Sequence, residues 1–277
     1  MKRPRRTKSP RDVTDYEDVA KKIKDVEDYD PEVNVVLYGK PGTGKTTLAS
    51  TFPKPMLFID VGEKGTDSVR DVEGCKVIRV ADWDELEMLY WYLRDNPDDF
   101  KTVCVDTVSQ AQGLAIRAVL EKKGKVVETG KLGGWGTMTK KDWGSVAEML
   151  NPYILNMRDL PMNVVFIAHD RVFNANDEDD EAEGIQPSVG PRLMPSICST
   201  LNASVGVIGQ TFIRERFISK PNPKNPKKKI EVRKVEYCLR VGPHSYYITK
   251  ARKPRSVELT DVIADPEYDD IKELIGA

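Results

Sequence analysis

Apolar residues in this chain fall into short unbroken runs separated by stretches with helical spacing. "VNVVLY" (33–38), "MLFID" (56–60), "KVIRV" (76–80), "TVCVD" (102–106) and "NVVFIA" (163–168) read as buried strands. Between them, Trp83, Leu86, Tyr90 and Leu93 share one helical face. "AQGLAIRAVLEKK" (111–123) and "WGSVAEMLNPYILNMRDL" (143–160) read as further helices, the second with Pro152 as a point of kinking. Near-continuous apolar strands alternating with helices predict a parallel sheet covered on both faces. In the last third the period changes to two, in "ASVGVIG" (203–209), "TFIRERFIS" (211–219), "IEVRKVEYCLRVG" (230–242) and "SYYITK" (245–250), with Gly242-Pro243 as a turn. That pattern predicts an antiparallel extension of the same sheet. The expected fold is therefore α/β, a mostly parallel twisted sheet flanked by helices with an antiparallel C-terminal extension.

The two ends read differently from the middle. Met1 to Arg11 is Pro, Lys and Arg with nothing to bury, so a disordered basic arm is expected. Tyr16, Val19, Ile23 and Val26 then have helical spacing, and Thr14 with Glu17 forms a capping-box start. After Val257 the chain is acidic with few apolar anchors. These features divide the chain into a basic arm and helix (1–30), an α/β domain (31–256) and an acidic tail (257–277).

Composition narrows the classes. With 277 residues, 43 basic against 44 acidic and a net charge of −1, the molecule is no polycation, but its charges are segregated. "KPNPKNPKKK" from Lys220 is a second basic run, and "NDEDDEAE" from Asn176 is acidic. The four cysteines form no CxxC pair and only His169 and His244 could serve as imidazole ligands, so no zinc site is expected. Isolated cysteines suit a reducing cytoplasm, and neither a signal peptide nor a membrane span is evident.

The chemistry begins where the first strand ends. Gly39, Gly44, Lys45 and Thr46 satisfy GxxxxGK[ST], within a loop Gly39, Lys40, Pro41, Gly42, Thr43, Gly44, Lys45, Thr46 and Thr47. Such a loop curls so that successive N–H groups face phosphate oxygens, and the following helix presents its positive end. Lys45 is expected on the β- and γ-phosphates, and Thr46 on Mg²⁺. Asp106 closes an apolar strand, the place from which a carboxylate holds Mg²⁺. Asp60 and Glu63 follow another strand, where a carboxylate can act on a water facing the γ-phosphate. "TKKD" at Thr139 and "DVEG" at Asp71 imitate guanine-nucleotide motifs, but neither follows an apolar strand. ATP is the expected nucleotide.

In "FIDVGE", in Asp106 with a hydroxyl residue beside it, and in "NVVFIAHD", the chain resembles RecA-like recombinase ATPases over roughly Val33 to Arg255. It is most similar to the short phage-type members that work with single-strand annealing and recombination systems. The resemblance implies a RecA-like phosphate-loop NTPase core with ATP and Mg²⁺, the metal held by Thr46 and Asp106. It implies Glu63 as the residue activating water, with one residue more between Asp60 and Glu63 than the family has, so that Asp60 stays open. His169 falls where the family has a γ-phosphate sensor. Lys250 and Arg252 match basic residues that reach a neighbouring subunit's γ-phosphate, which implies a homo-oligomer, ring or filament.

The implied activity is Mg²⁺-dependent ATP hydrolysis, stimulated by single-stranded DNA during recombination, annealing or repair. A single-strand DNA-binding protein is a further partner the resemblance suggests, and the cytoplasm of a bacterial host is the implied location. Candidate DNA contacts are the segment from Asp170 to Pro195, the Gly- and Trp-containing loop from Glu128 to Trp143, the basic run at Lys220 and the N-terminal arm. Two other classes remain open, a phosphate-loop small-molecule kinase and a non-catalytic ATP-gated loader.

Overall fold

The computed structural model describes residues 32–124, 138–173, 187–222 and 225–276, together with Ile23 and Asp25. The chain divides by internal contacts into Met1–Pro31 and Glu32–Ala277, and the second unit carries the fold. The basic arm and its helix lie outside the described residues, apart from Ile23 and Asp25.

The second unit opens with strand β1 (Asn34–Gly39), short helix α1 (Lys45–Ala49) and strand β2 (Met56–Asp60). A 3₁₀ turn over Gly65–Val69 leads to β3 (Cys75–Arg79) and α2 (Trp83–Asp95). Then come β4 (Thr102–Asp106), α3 (Val108–Lys122), α4 (Lys140–Arg158) and β5 (Asn163–Ala168). A small hairpin of β6 (Asp170–Phe173) and β7 (Ser188–Pro191) precedes α5 (Pro195–Ser204). The remainder is β8 (Val207–Asn222), β9 (Asn225–Arg240), β10 (Lys250–Ala251), β11 (Val262–Ala264) and α6 (Tyr268–Ile275).

One nine-stranded sheet runs in the order β11-β9-β8-β1-β5-β4-β2-β3, with β10 on β8. Strands β1 to β5 pair parallel with one another and β8 pairs parallel with β1, whereas β9 and β10 pair antiparallel with β8, and β11 antiparallel with β9. Both halves of the expected architecture are present. The apolar runs explain why: successive residues of a strand point to opposite faces. Val36, Tyr38, Val103, Val105, Val164 and Phe166 pack with the helical residues Leu86, Leu93, Val146 and Leu150. Val35, Leu37, Cys104, Val165 and Ile167 pack on the other face with Leu48, Phe52, Ile271 and Leu274.

The structure departs from the sequence reading at several elements. Ala203 and Ser204 end α5 instead of opening a strand, and the period-two pattern before Asn222 is one continuous 16-residue strand. Of "SYYITK" only Lys250 enters a strand, the two-residue β10. The stretch before it pairs by its backbone with β7, where Val189 N donates to Tyr246 O, Ile248 N donates to Val189 O, and Val189 and Tyr247 form an isolated bridge. α4 starts at Lys140, where Thr139 and Asp142 form a reciprocal capping box, and it continues through Pro152. The acidic "tail" is part of the domain. β11 joins the sheet beside β9, and α6 buries Ile271 and Leu274 in the core.

Candidate functional site

The site sits where the parallel strands end. The register aligns Tyr38 of β1 with Ala168 of β5, Ile167 with Asp106 of β4, and Asp106 with Asp60 of β2. The loops leaving these strands therefore converge, as ligand sites do at the carboxyl edge of open α/β sheets. They line a cleft of about 640 Å³ that contains Pro41 to Leu48, Glu63, Asp106, Thr107 and His169.

The phosphate loop is shaped by its glycines and by β8. Gly44 caps α1 in the left-handed region at φ 86, a conformation most side chains resist. At Gly39 a Cβ would lie 2.4 Å from the Thr211 carbonyl oxygen, so only glycine lets β1 turn away beside β8. The Thr43 hydroxyl donates to Lys40 O (2.7 Å) and is 2.7 Å from Thr211 Oγ1. Lys45 Nζ donates to Gly39 O (2.9 Å) and Lys40 O (2.8 Å), which holds the ammonium over the loop's mouth. Burial lowers the Lys45 pKa, while Asp106, Asp170 and Glu63 act against that shift.

Asp106 accepts from Thr46 Oγ1 at 2.9 Å, joining the two expected metal ligands. Burial pushes the carboxyl up to about 6, helped by the charges of Glu63 and Asp60 and opposed by the Thr46 hydrogen bond and Lys45. A buried carboxylate whose charge is costly is a group that a cation relieves. Among the described residues no cluster of three or more His, Cys, Asp or Glu could hold a metal unaided. That donor set suits Mg²⁺, which takes one or two protein oxygens and completes its shell with water and phosphate.

Asp60 and Glu63 separate clearly. Asp60 Oδ1 accepts from the Glu63 and Lys64 backbone N–H groups (3.1 and 3.0 Å), and its Oδ2 is 3.5 Å from Arg79 Nε. It is 1% exposed and lies beneath the cleft as a brace for the turn. Glu63 stands in the cleft: its Oε1 is 2.5 Å from His169 Nε2 and accepts from Gln110 Nε2 (3.1 Å) and, at 3.4 Å, from Thr107 Oγ1. His169 is itself tied down, its backbone N–H donating to Ser109 Oγ (3.2 Å) and its backbone carbonyl accepting from Arg192 N (2.8 Å). Lys45, Thr46, Glu63, Asp106 and His169 are thus brought together.

Lys250 and Arg252 are elsewhere. Lys250 is registered with Ile208, whereas Gly39 is registered with Thr211 farther along β8. Lys250 Nζ donates to Asn202 O (2.6 Å) and Arg252 Nη2 to Ala203 O (2.7 Å), so both cap the carbonyl end of α5, where cations are favoured. Of the DNA-contact candidates, Trp135, Lys131, the acidic run and most of the basic run at Lys220 lie outside the described residues or side chains. Lys140, Lys141 and Trp143 are exposed in the first turn of α4.

A protein-family profile described as AAA domain matches residues 32–252. The chain belongs to the AAA domain family. Among curated proteins none matches it. A similar solved structure is that of flagellar accessory protein FlaH from Methanocaldococcus jannaschii, with 9% identity, 85% of this chain and 91% of that chain covered, and a TM-score of 0.31. This AAA domain is an α/β phosphate-loop NTPase core that binds nucleotide. Among its described residues, no helix is long and apolar enough to cross a membrane.

Sequence reasoning missed Gln110, which shares Glu63 with His169, and the segment Asp265 to Glu267, which lines the outer cleft. Gln110 carries no motif. "VIADPE" does hold a signal, a short apolar run and then an acidic helix start, within a stretch whose overall charge reads as solvated.

Proposed function

We propose that this AAA domain is a Mg²⁺-dependent ATPase in which Glu63 activates the attacking water, and that it acts on single-stranded DNA as an assembly. The carrying observation is the Glu63–His169 pair at 2.5 Å in the cleft that also holds Lys45, Thr46 and Asp106. Lys45 and the loop N–H groups grip the β- and γ-phosphates. Thr46 and Asp106 would hold Mg²⁺, which when bound balances phosphate charge. Glu63 accepts a proton from a water aligned with the γ-phosphate, a role worth about 10²–10⁴ in rate. His169, Gln110 and Thr107 fix its carboxylate, and His169 connects it to the β6–β7 hairpin through Arg192.

Among the described residues lining the cleft, Lys45 is the sole cation. Phosphoryl transfer gains from a further cation on the transition state, and a neighbouring subunit is the source proposed here. The resemblance nominates Lys250 and Arg252 for that part, although both already cap α5 within their own chain.

Single-stranded DNA as the activator rests on the resemblance and on the β8–β9 arm. That arm exposes Phe217 (69%) with Arg233 opposite it on one face, and carries Arg214, Arg216 and Lys234 on the other. These cations are paired with Glu215 and Glu236, so a bound strand's phosphates would compete with those carboxylates while its bases meet the ring. The experiment is ATP turnover with and without single-stranded DNA at several salt concentrations. Stimulation that weakens steeply with salt is expected. Turnover indifferent to DNA at every salt concentration overturns the DNA part of the proposal.

A further inference from the structure

The cleft continues past the phosphate loop, and its outer half is built from a part of the chain that the phosphate-loop motif does not foretell. Thr47 and Thr51 form one side, Tyr237 of β9 another, and Asp265, Pro266 and Glu267 close the rim. This rim is constructed. Asp265 adopts the left-handed region at φ 49, uncommon for a residue with a side chain. It is locked to Tyr237 in both directions: Asp265 N donates to Tyr237 O (2.5 Å), and Tyr237 N donates to Asp265 Oδ1 (3.1 Å). On the other side, Tyr268 N donates to Thr51 Oγ1 (2.9 Å), and the rings of Tyr268 and Phe52 are 4.9 Å apart. Buried Ile271 and Leu274 hold the following helix against the core.

The chemistry of the two halves is opposite. The inner half offers a cation, Lys45, and the loop N–H groups. The outer half offers the carboxylate of Asp265, which accepts from Tyr237 N through Oδ1 and has Lys234 Nζ 3.9 Å from Oδ2, and that of Glu267, which shares a capping box with Asp270. The remaining lone pairs of both carboxylates are the acceptors left to a ligand, beside an aromatic ring that is 46% exposed. That ring sits where the halves meet, since a Cβ on Gly44 would be 3.2 Å from Tyr237 Cδ1. An acidic rim repels phosphate and accepts hydrogen bonds from hydroxyl and amino groups, while an exposed ring offers a π-face. We propose that Tyr237 and the segment Asp265–Glu267 form the nucleoside subsite: a purine base packs against Tyr237, and ribose hydroxyls or the base's exocyclic amino group donate to the rim's acceptors. The inference rests on the reading of the inner half as a triphosphate site. Through it the C-terminal segment sets the direction of the bound nucleotide, phosphates inward and nucleoside outward.

Titration calorimetry of the full chain with Mg²⁺–ATP and with Mg²⁺–tripolyphosphate tests this. Wild type is expected to bind ATP more tightly than tripolyphosphate. Tyr237→Ala is expected to lose about tenfold in ATP affinity, in line with a lost base–aromatic stack, while tripolyphosphate affinity stays unchanged. On the unsubstituted chain, photolabelling with 8-azido-ATP is expected to mark Tyr237 or the 262–268 peptide, so the test stands even if the variant fails to fold. An ATP affinity unchanged in a folded Tyr237→Ala chain, or a label confined to other peptides, overturns the proposal. Wild type that binds neither ligand overturns the triphosphate reading beneath it.

Discussion

Three side chains at the carboxyl edge of the sheet have separable jobs, and substitution should separate them. Lys45→Ala removes the cation over the loop and is expected to abolish measurable nucleotide binding in calorimetry, with the fold retained by circular dichroism. His169→Ala leaves Glu63 its bonds from Gln110 and Thr107, so a partial loss of turnover is expected, smaller than that of Glu63→Gln. Asp106 supplies a pH signature. Its folded value of about 6 lies above the ordinary 3.8, so the folded state binds the extra proton between those values. This group's contribution to stability of the metal-free protein is therefore present at low pH and lost as pH rises through about 6. Mg²⁺ competes with that proton, so Mg²⁺-dependent ATP affinity should fall by up to about tenfold per pH unit below 6. Asp106→Asn should be weak and flat across the same range, and a wild-type affinity flat from pH 5 to 7 would refute the assignment.

At the scale of elements, α6 is the clearest departure from expectation. Its helix buries Ile271 and Leu274 beside Leu48 and Phe52, at roughly 1.5–3 kcal/mol for each buried side chain. Ile271→Ala is expected to cost about 2–4 kcal/mol in urea unfolding. A cost below about 0.5 kcal/mol would mean that the segment does behave as a solvated tail. What the sequence made legible here followed from physics that acts locally. Unbroken runs such as "NVVFIA" are buried on both faces and identify themselves, and the glycine loop must follow a strand. What it hid depends on distant partners: α5 has no strong amphipathic pattern, and β6, β7 and β11 exist only because a neighbouring strand pairs with them. The same holds at the site. Glu63, Asp106 and His169 were legible as strand-end residues, but Gln110 was not, because only folding brings its amide to Glu63.

For the whole molecule, the β8–β9 arm joins the two ends of the proposed mechanism. β8 starts inside the sheet beside β1 and runs on with β9 as a ribbon, and Tyr237 at the ribbon's root lines the nucleotide cleft. If the arm meets DNA phosphates, Arg216→Ala should lower the slope of log affinity against log salt by about 0.7 for single strands. An unchanged slope, measured by fluorescence anisotropy, would place the contact elsewhere. The most direct test of the central claim is γ-phosphate release by Glu63→Gln, with ATP affinity measured on the same sample. A rate at least about a hundredfold below wild type, with affinity within about threefold, is the result predicted. Release at the wild-type rate would contradict it.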